Sequence, residues 1–323
     1  MPSQRTLRIV TSLFNPSGYQ SRYTRYYQFA DYISKFTNVE LYTVEGIYPG
    51  QTFQATQANN PRHLQLELSQ FIWMKESMLN VLISMLPDDG NPIAWIDADI
   101  IFARPDWVEA TLTALESFDV VQMFSQCQEL TDDYNLLPGN LRRGMVAAYK
   151  AGGHMRTDGP TCYPRPGPIT TTLGHCGYAW AITRDALDRL GGGLLDHGIV
   201  GSGDYQMATA WCGDVSATIP KGISNGYRQA ILDYAELVKD QHITVGYVPG
   251  IALHLWHGRR VDRGFDWRDR ILVEHRYDPT TDLVYDASGL LTVVDDGSGR
   301  VVAMEEAIKA YFASRNEDSL YSN

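Results

Sequence analysis

Three short segments of this chain carry residue types that can do chemistry together. In Ile93-Ala-Trp-Ile-Asp97-Ala-Asp99-Ile-Ile-Phe102 two carboxylates, two positions apart, interrupt an otherwise apolar run. Such a run reads as a central strand buried on both faces. The strand period of two puts both acids on one face, with Ala98 turned away. Acids inside an apolar run cost free energy unless they are paired or bind a metal. Two carboxylates at a strand end can hold a divalent cation that grips a diphosphate. The second segment is Gly198-Ile-Val-Gly-Ser-Gly-Asp204-Tyr-Gln-Met207. Its glycines allow a ligand close to the backbone. Asp204 opens the following helix, as an ordinary N-cap or as a reacting carboxylate. The third is His254-Leu-Trp-His257-Gly258, followed by Arg259, Arg260, Arg263, Arg268 and Arg270. A histidine at a strand end suits a metal already held by carboxylates, and nearby arginines can neutralise a leaving diphosphate. On a strand His254 and His257 point to opposite faces. That makes His257, beside Gly258, the expected ligand and His254 a core histidine. The arginines alternate with Asp262, Asp266, Asp269 and Glu274, so part of this run reads as a solvated ion-pair face.

These segments need a scaffold that gathers strand ends. Residues 7–13 alternate and are rich in β-formers before the break at Asn15-Pro-Ser-Gly18. Residues 23–36 repeat apolar side chains at helical spacing, and 39–44 read as a second strand. Strand, helix, strand at this spacing predicts a right-handed βαβ unit in an α/β fold. A long helix is expected over 61–86, ended by Pro87-Asp-Asp-Gly90, then the strand that closes on Asp97. A helix over 107–115 and a strand over 119–124 follow. Residues 125–172 are rich in Gly, Pro, Asp and Arg with weak periodicity, which predicts an irregular insertion able to serve as a lid. Beyond it come a strand over 177–183, helices over 184–190, 204–211 and 226–239, and a late strand over 246–257. The tail carries a hairpin-like turn at 295–299 and a helix over 303–314. The expected organisation is one domain over 1–275 and a C-terminal appendage over 276–323.

Composition narrows the class. The chain has 323 residues, 44% hydrophobic and 20% charged, within the globular range. Its apolar runs are far shorter than the ~20 residues that span a bilayer. The start, Met1-Pro-Ser-Gln-Arg-Thr, shows no apolar signal core, so a soluble cytoplasmic protein is expected. With 27 Lys+Arg against 38 Asp+Glu the net charge is −11, against the basic excess of most polyanion binders. Cys127, Cys162, Cys176 and Cys212 have no CxxC spacing and read as reduced thiols.

Taken in order, the three segments resemble the metal-dependent nucleotide-sugar glycosyltransferases of the GT-A fold, over roughly residues 7–275. The resemblance is carried by Ala94-Trp-Ile-Asp-Ala-Asp-Ile-Ile-Phe102, by Gly177-Tyr-Ala-Trp180 through Gly201-Ser-Gly-Asp-Tyr-Gln-Met-Ala208, and by His254-Leu-Trp-His-Gly258. The middle block is similar to the acceptor-side segment of galactosyltransferase-like enzymes. Trp73-Met-Lys-Glu-Ser-Met-Leu-Asn80 resembles glycosyltransferase-like proteins of bacteriophages and bacteria. The resemblance implies a Rossmann-like mixed sheet with helices on both faces and an acceptor-side insertion. It implies Mn²⁺ or Mg²⁺ on Asp97, Asp99 and His257, with Asp97 on either the metal or the ribose. Thr11, Ser12 and Phe14, and more remotely Glu45, would lie near the base and ribose. Lys75, Arg259 and Arg263 would approach the nucleotide-sugar, a UDP-sugar first among candidates. Tyr178, Trp180 and Gly203 would face the sugar or acceptor. Asp204 would accept the acceptor proton in an inverting reaction. No second acid stands beside Asp204 in the sequence, so base assignment and stereochemistry stay open.

Two other classes share parts of this pattern. Haloacid-dehalogenase-type phosphatases also place Asp-x-Asp after an apolar strand, but at the first strand of the domain, whereas nearly a hundred residues precede Asp97 here. A non-catalytic sugar-nucleotide or glycan-binding protein would keep the same residues without turnover. The acceptor is open to any hydroxyl. The phage-like resemblance admits hydroxymethylated DNA bases, for which Arg142, Arg143 and residues 259–270 would form the phosphate strip.

Overall fold

The structure is a computed structural model and describes residues 5–152, 174–265 and 267–321. The chain begins with β1 (Leu7–Phe14), α1 (Gln20–Ile33), β2 (Val39–Ile47), β3 (His63–Glu67) and α2 (Lys75–Ser84). It continues through β4 (Ile93–Ile96), β5 (Ile100–Phe102), α3 (Trp107–Ala114), β6 (Val120–Gln122), β7 (Gln126–Glu129), β8 (Arg142–Arg143) and α4 (Met145–Lys150). Then come β9 (Ala179–Ile182), α5 (Arg184–Arg189), α6 (Gly203–Trp211), α7 (Asn225–Asp240), β10 (Val245–Tyr247) and β11 (Ile251–His254). The last elements are α8 (Asp269–Glu274), α9 (Pro279–Asp282), β12 (Leu283–Tyr285), β13 (Leu291–Val293) and α10 (Arg300–Ser314).

The main sheet has the order β10-β6-β9-β4-β1-β2-β3. It is parallel except at β9, which runs antiparallel to both β4 and β6. Strand alternation assigns its two faces. Leu7, Ile9, Ala94 and Ile96 turn to α1 and α3, where Phe29, Ile33, Trp107 and Val108 are buried. Val10, Ile93, Trp95 and Trp180 turn to the other face, onto Met78 and Leu79 of α2 and Met207 of α6. This is the expected mixed α/β sheet with helices on both faces. A smaller sheet, β5-β11-β7-β8, lies beyond the β4 end. No helix among the described residues is long and apolar enough to cross a membrane.

Three expectations differ from the structure. The helix over 61–86 is instead strand β3 followed by α2, because His63-Leu-Gln-Leu-Glu67 alternates and pairs with β2 from Thr43 to Ile47. The late strand over 246–257 breaks at Pro249-Gly250 into β10, in the large sheet, and β11, in the small one. The tail hairpin pairs β12 with β13 around Asp286, and 295–299 leads into α10 instead. Val293, Met304, Ile308 and Tyr311 of the 276–323 segment share one buried cluster with residues of α2 and α6. Within the insertion, β7, β8 and α4 occupy 126–150. Residues 153–172 of the expected lid lie outside the described residues.

Candidate active site

Register in the small sheet assembles the first part of the site. β11 pairs antiparallel with β5, setting His254 opposite Ile100, and Leu255 N donates to Asp99 O at 2.8 Å. The strand ends at His254 and the chain turns, so His257 does not take the opposite face expected of a continuing strand. Its Nε2 comes within 3.1 Å of His254 Nε2 and 3.1 Å of Asp99 Oδ2, with His254 Nε2 3.7 Å from the same oxygen. Three donors at these spacings can surround a cation bonded at about 2.1 Å. Asp99 Oδ1 is also buried and has no hydrogen-bond partner among the described residues, so the donor set fits a metal. Burial lowers the His254 ring to about 3, with Arg263 adding to the effect against Asp99, so the ring is the neutral form that ligates. Burial by itself would raise Asp99, but the two histidines and Arg263 outweigh it and hold the carboxylate well below its usual range.

Asp97 goes elsewhere. β4 stops at Ile96 and residues 97–99 form a turn, with Ile100 N on Asp97 O at 3.1 Å, so the two acids do not share a strand face. Asp97 is ion-paired with Lys75, at the first residue of α2, and is not in the three-donor cluster. The Lys75 ammonium also faces Glu76 and Asp204; burial opposes its charge, but the three carboxyls raise it above its ordinary value. One ammonium thus serves three acids. Burial pushes Glu76 up to about 7, with Lys75 opposing and Asp204 reinforcing, and raises Asp97 as well.

Asp204 stands in the first turn of α6 after Ser202, whose φ of 80° is left-handed, a conformation that side chains other than glycine rarely adopt. Ser202 Oγ accepts from Arg268 Nη2 at 2.7 Å, which anchors this turn. Gly177 leaves room for the carboxylate: a Cβ there would stand 2.5 Å from Asp204 Oδ2. Tyr178, also left-handed at φ 80°, stacks between His175 and His254 at 3.8 and 4.8 Å and walls the cavity beside the Asp99, His254 and His257 cluster.

One cavity brings together Thr11, Ser12, Phe14, Lys75, Asp97, Asp99, Tyr178, Asp204, His254, His257 and Arg263. Arg263 is 6% exposed, and its Nε has no partner among the described residues. Thr11 spends its hydroxyl on Ile96 O at 2.8 Å, leaving Ser12 and Phe14 as the β1 residues open to a ligand. Four expected residues are not brought in. Glu45 accepts from the backbone N–H groups of Gln54, Ala55 and Thr56 and from the Thr56 hydroxyl, so its carboxylate tethers that loop. Trp180 is core, packed on Trp211 with its Nε1 on Cys176 O at 2.8 Å. Arg259 pairs with Asp262 at 3.1 Å on the surface. Gly203 lies behind the cavity, against the Glu76 carboxyl. The arginines expected as a phosphate strip also disperse: Arg142, half-buried, pairs with Glu129 at 2.7 Å, and Arg263 and Arg268 turn into the cavity.

The cavity also holds residues that the sequence did not single out: Arg22, Glu76, His175, Arg315 and Glu317. Glu317, 1% exposed, binds Arg22 and Arg315, each at 2.6 Å, and its Oε2 lies 3.7 Å from His257 Nδ1. A carboxylate behind a ligating histidine fixes the ring's orientation. Only Glu76 left a signal, as the neighbour of Lys75 in the Trp73–Asn80 block; Arg315 and Glu317 lie in a tail with no motif.

No family model and no curated protein matches the chain. Among solved structures it is similar to a variant of Drosophila β1,4-galactosyltransferase 7 in complex with manganese, UDP-Gal and xylobiose, at 10% identity and TM-score 0.37 over 75% of this chain. The chain spans 65% of that galactosyltransferase structure. It is also similar to a protein named as a nucleotide-diphospho-sugar transferase from Desulfovibrio desulfuricans, at 10% identity and TM-score 0.31, over 98% of this chain and 99% of that one. A third is 4-diphosphocytidyl-2C-methyl-D-erythritol synthase from Anaerococcus prevotii, at 9% identity and TM-score 0.34, over 76% of this chain and 90% of that one. Likenesses this distant carry none of the functional weight, which rests on the residues of the cavity.

Proposed function

We propose that this protein is a metal-dependent glycosyltransferase that moves a sugar from a nucleotide-diphosphate donor, a UDP-sugar by first choice, to an acceptor hydroxyl. The observation that carries the reading is one cavity in which an Asp-His-His donor set, an unpartnered buried arginine nitrogen and a glycine-cradled carboxylate stand together at strand ends. Asp99, His254 and His257 would hold the cation, which supplies positive charge toward the donor diphosphate. Two imidazoles favour Mn²⁺ over Mg²⁺, which prefers an all-oxygen shell.

The chain's own groups do the rest. Arg263 offers its guanidinium to the phosphate oxygens on which charge grows as the sugar–phosphate bond breaks. Ser12 and Phe14 border the nucleoside. Lys75 keeps Asp97 ionised and in place at the end of β4. Asp204 takes the proton of the acceptor hydroxyl while that oxygen bonds to the anomeric carbon and the nucleoside diphosphate departs. The test is a panel of UDP-, GDP- and other nucleotide-sugars with Mn²⁺, read by thermal shift and donor hydrolysis. Saturation to about 100 times Kd should add about 2.7 kcal/mol of stability. Asp99→Asn should fold, lose the Mn²⁺-dependent shift and lose turnover; wild-type turnover in that variant refutes the metal assignment.

A further inference from the structure

Glu76 has no role in the chemistry above, yet its carboxyl is built into the same cavity. It is 5% exposed and lies between Trp73 and Gly203. Trp73 Nε1 donates to Oε2 at 3.0 Å; among the described residues no other side chain hydrogen-bonds to this carboxyl. The space it fills exists because residue 203 is glycine: a Cβ there would stand 3.0 Å from both Cδ and Oε1 of Glu76. Gly177 makes the matching space for Asp204, and Gly203 directly precedes Asp204. Two glycines therefore make room for two carboxyls that line one cavity and repel each other through space, one from α2 and one from α6. The acid that the sequence around Asp204 lacks is supplied from a different element.

The charge balance says what Glu76 is for. The Lys75 ammonium gives its hydrogen bond to Asp97 and acts on Glu76 only through space, without outweighing the cost of burial. A buried carboxyl held by a single side-chain hydrogen bond is costly, and a ligand that adds another offsets part of that cost. Burial pushes it up to about 7, so near neutrality it offers a proton as well as lone pairs. Such a group suits a neutral hydroxyl, which both accepts and donates.

We propose that Glu76 and Asp204 together bind an acceptor with two neighbouring hydroxyls, a sugar diol, Asp204 on the hydroxyl that reacts and Glu76 on the one beside it. The proposal rests on the transferase reading of this cavity. A lone hydroxyl, such as that of a hydroxymethylated base, leaves Glu76 unsatisfied.

The test uses the full chain with Mn²⁺, the nucleotide-sugar giving the largest thermal shift, and methyl glycosides as acceptors, each beside its monodeoxy analogues. Glu76→Gln keeps the shape and the Trp73 bond but offers a weaker partner. It should raise KM for the parent glycoside about tenfold, with a smaller fall in kcat. Glu76→Ala should raise it further. Both penalties should vanish on the monodeoxy glycoside that lacks the neighbouring hydroxyl, because the contact is already gone. Equal penalties on both acceptors would indicate a structural role and overturn the proposal. So would an unchanged KM, or a wild type that uses a hydroxymethylated nucleoside in preference to every glycoside. A wild type that binds no nucleotide-sugar overturns the transferase reading itself, which this design separates from the loss of the diol contact.

Discussion

Replacing Gly177 by alanine should cut turnover about a hundredfold without unfolding the protein. Gly177 lies in the loop before β9 and is not among the glycines with positive φ, so its backbone accepts a Cβ. The nearest atoms to that Cβ are all side-chain atoms: Asp204 Oδ2 at 2.5 Å, His175 Cε1 at 3.4 Å and Asp204 Cγ at 3.7 Å. Only the carboxylate is in the way. Moving Oδ2 from 2.5 Å to an ordinary 3.4 Å contact displaces it by about 0.9 Å. The other oxygen accepts the Tyr205 N–H at 2.8 Å, so the group cannot swing aside without losing that bond. A misplacement near 1 Å costs roughly 10²-fold in rate, or about 2.7 kcal/mol of barrier. Stability should change by less than about 1 kcal/mol, since Gly→Ala at compatible angles favours folding by ~0.4–1 kcal/mol through the unfolded chain. Steady-state transfer with Mn²⁺ and urea unfolding measure the two quantities. The expected result is kcat down about a hundredfold in a folded protein. A folded variant with kcat within threefold of wild type would refute Asp204 as the base at this position; a stability loss of several kcal/mol would refute the claim that only the carboxylate yields.

Three other outcomes follow from the same geometry. Lys75→Met removes the ammonium shared by Asp97, Glu76 and Asp204 and should cost about 3 kcal/mol at pH 8. The loss should shrink at pH 5, because the stranded carboxyls take up protons in the folded state first; urea midpoints at the two pH values check this, and a pH-independent loss contradicts it. Glu76 ionises near 4.5 when unperturbed and at about 7 in the fold, so the folded state holds a proton that the unfolded chain has already lost between those values. Its contribution is fullest below pH ~4.5 and falls by roughly 3 kcal/mol as pH rises to ~7. Glu76→Gln should therefore exceed wild type in stability at pH 8 and lose the advantage at pH 4, and a variant less stable at pH 8 rejects the assignment. Glu317→Gln leaves Arg22 and Arg315 without their shared carboxylate and should cost about 3 kcal/mol. It should also weaken Mn²⁺ binding about tenfold by calorimetry; lost stability with unchanged affinity would mean that Glu317 does not orient His257.

What the sequence makes legible is what depends on near neighbours in the chain. The apolar run 93–96 reads as a central strand because burial on both faces leaves no polar position, and all four residues are buried. Asp99, His257, Lys75 and Asp204 are each legible as residues at an element's end, and they converge because such ends gather on one side of an α/β sheet. The failures are of another kind. Leu64, Leu66 and Leu68 keep the period of a strand, but no Gly or Pro separates them from α2, so the boundary shows only once β2 is known to lie beside them. Glu45 stands near a strand end as the cavity residues do, and only the loop 54–56 shows that its oxygens are already taken. His254 was set aside by strand periodicity, which stops applying at the residue where the strand stops. Arg22 meets Glu317 across almost three hundred positions, a separation at which no local pattern exists.

The net charge of −11 takes on a different meaning once the cavity is known. Among the described residues that line it, Arg22, Arg25, Lys75, Arg263, Arg268 and Arg315 stand against Glu76, Asp97, Asp99, Asp204, Asp269 and Glu317, six cations to six acids. Arg22 and Arg315 are already spent on Glu317, and Lys75 on Asp97. A cavity balanced in this way, in a protein acidic overall, has little field left to attract a dianionic diphosphate. Two further positive charges at Asp99, His254 and His257 would tip the balance, and Arg263 lies near enough to Asp99 to act with them. On the transferase reading, metal and donor should then bind cooperatively, each strengthening the other by the same factor. The metal requirement would follow from the distribution of charge in the cavity as much as from the needs of the departing phosphate.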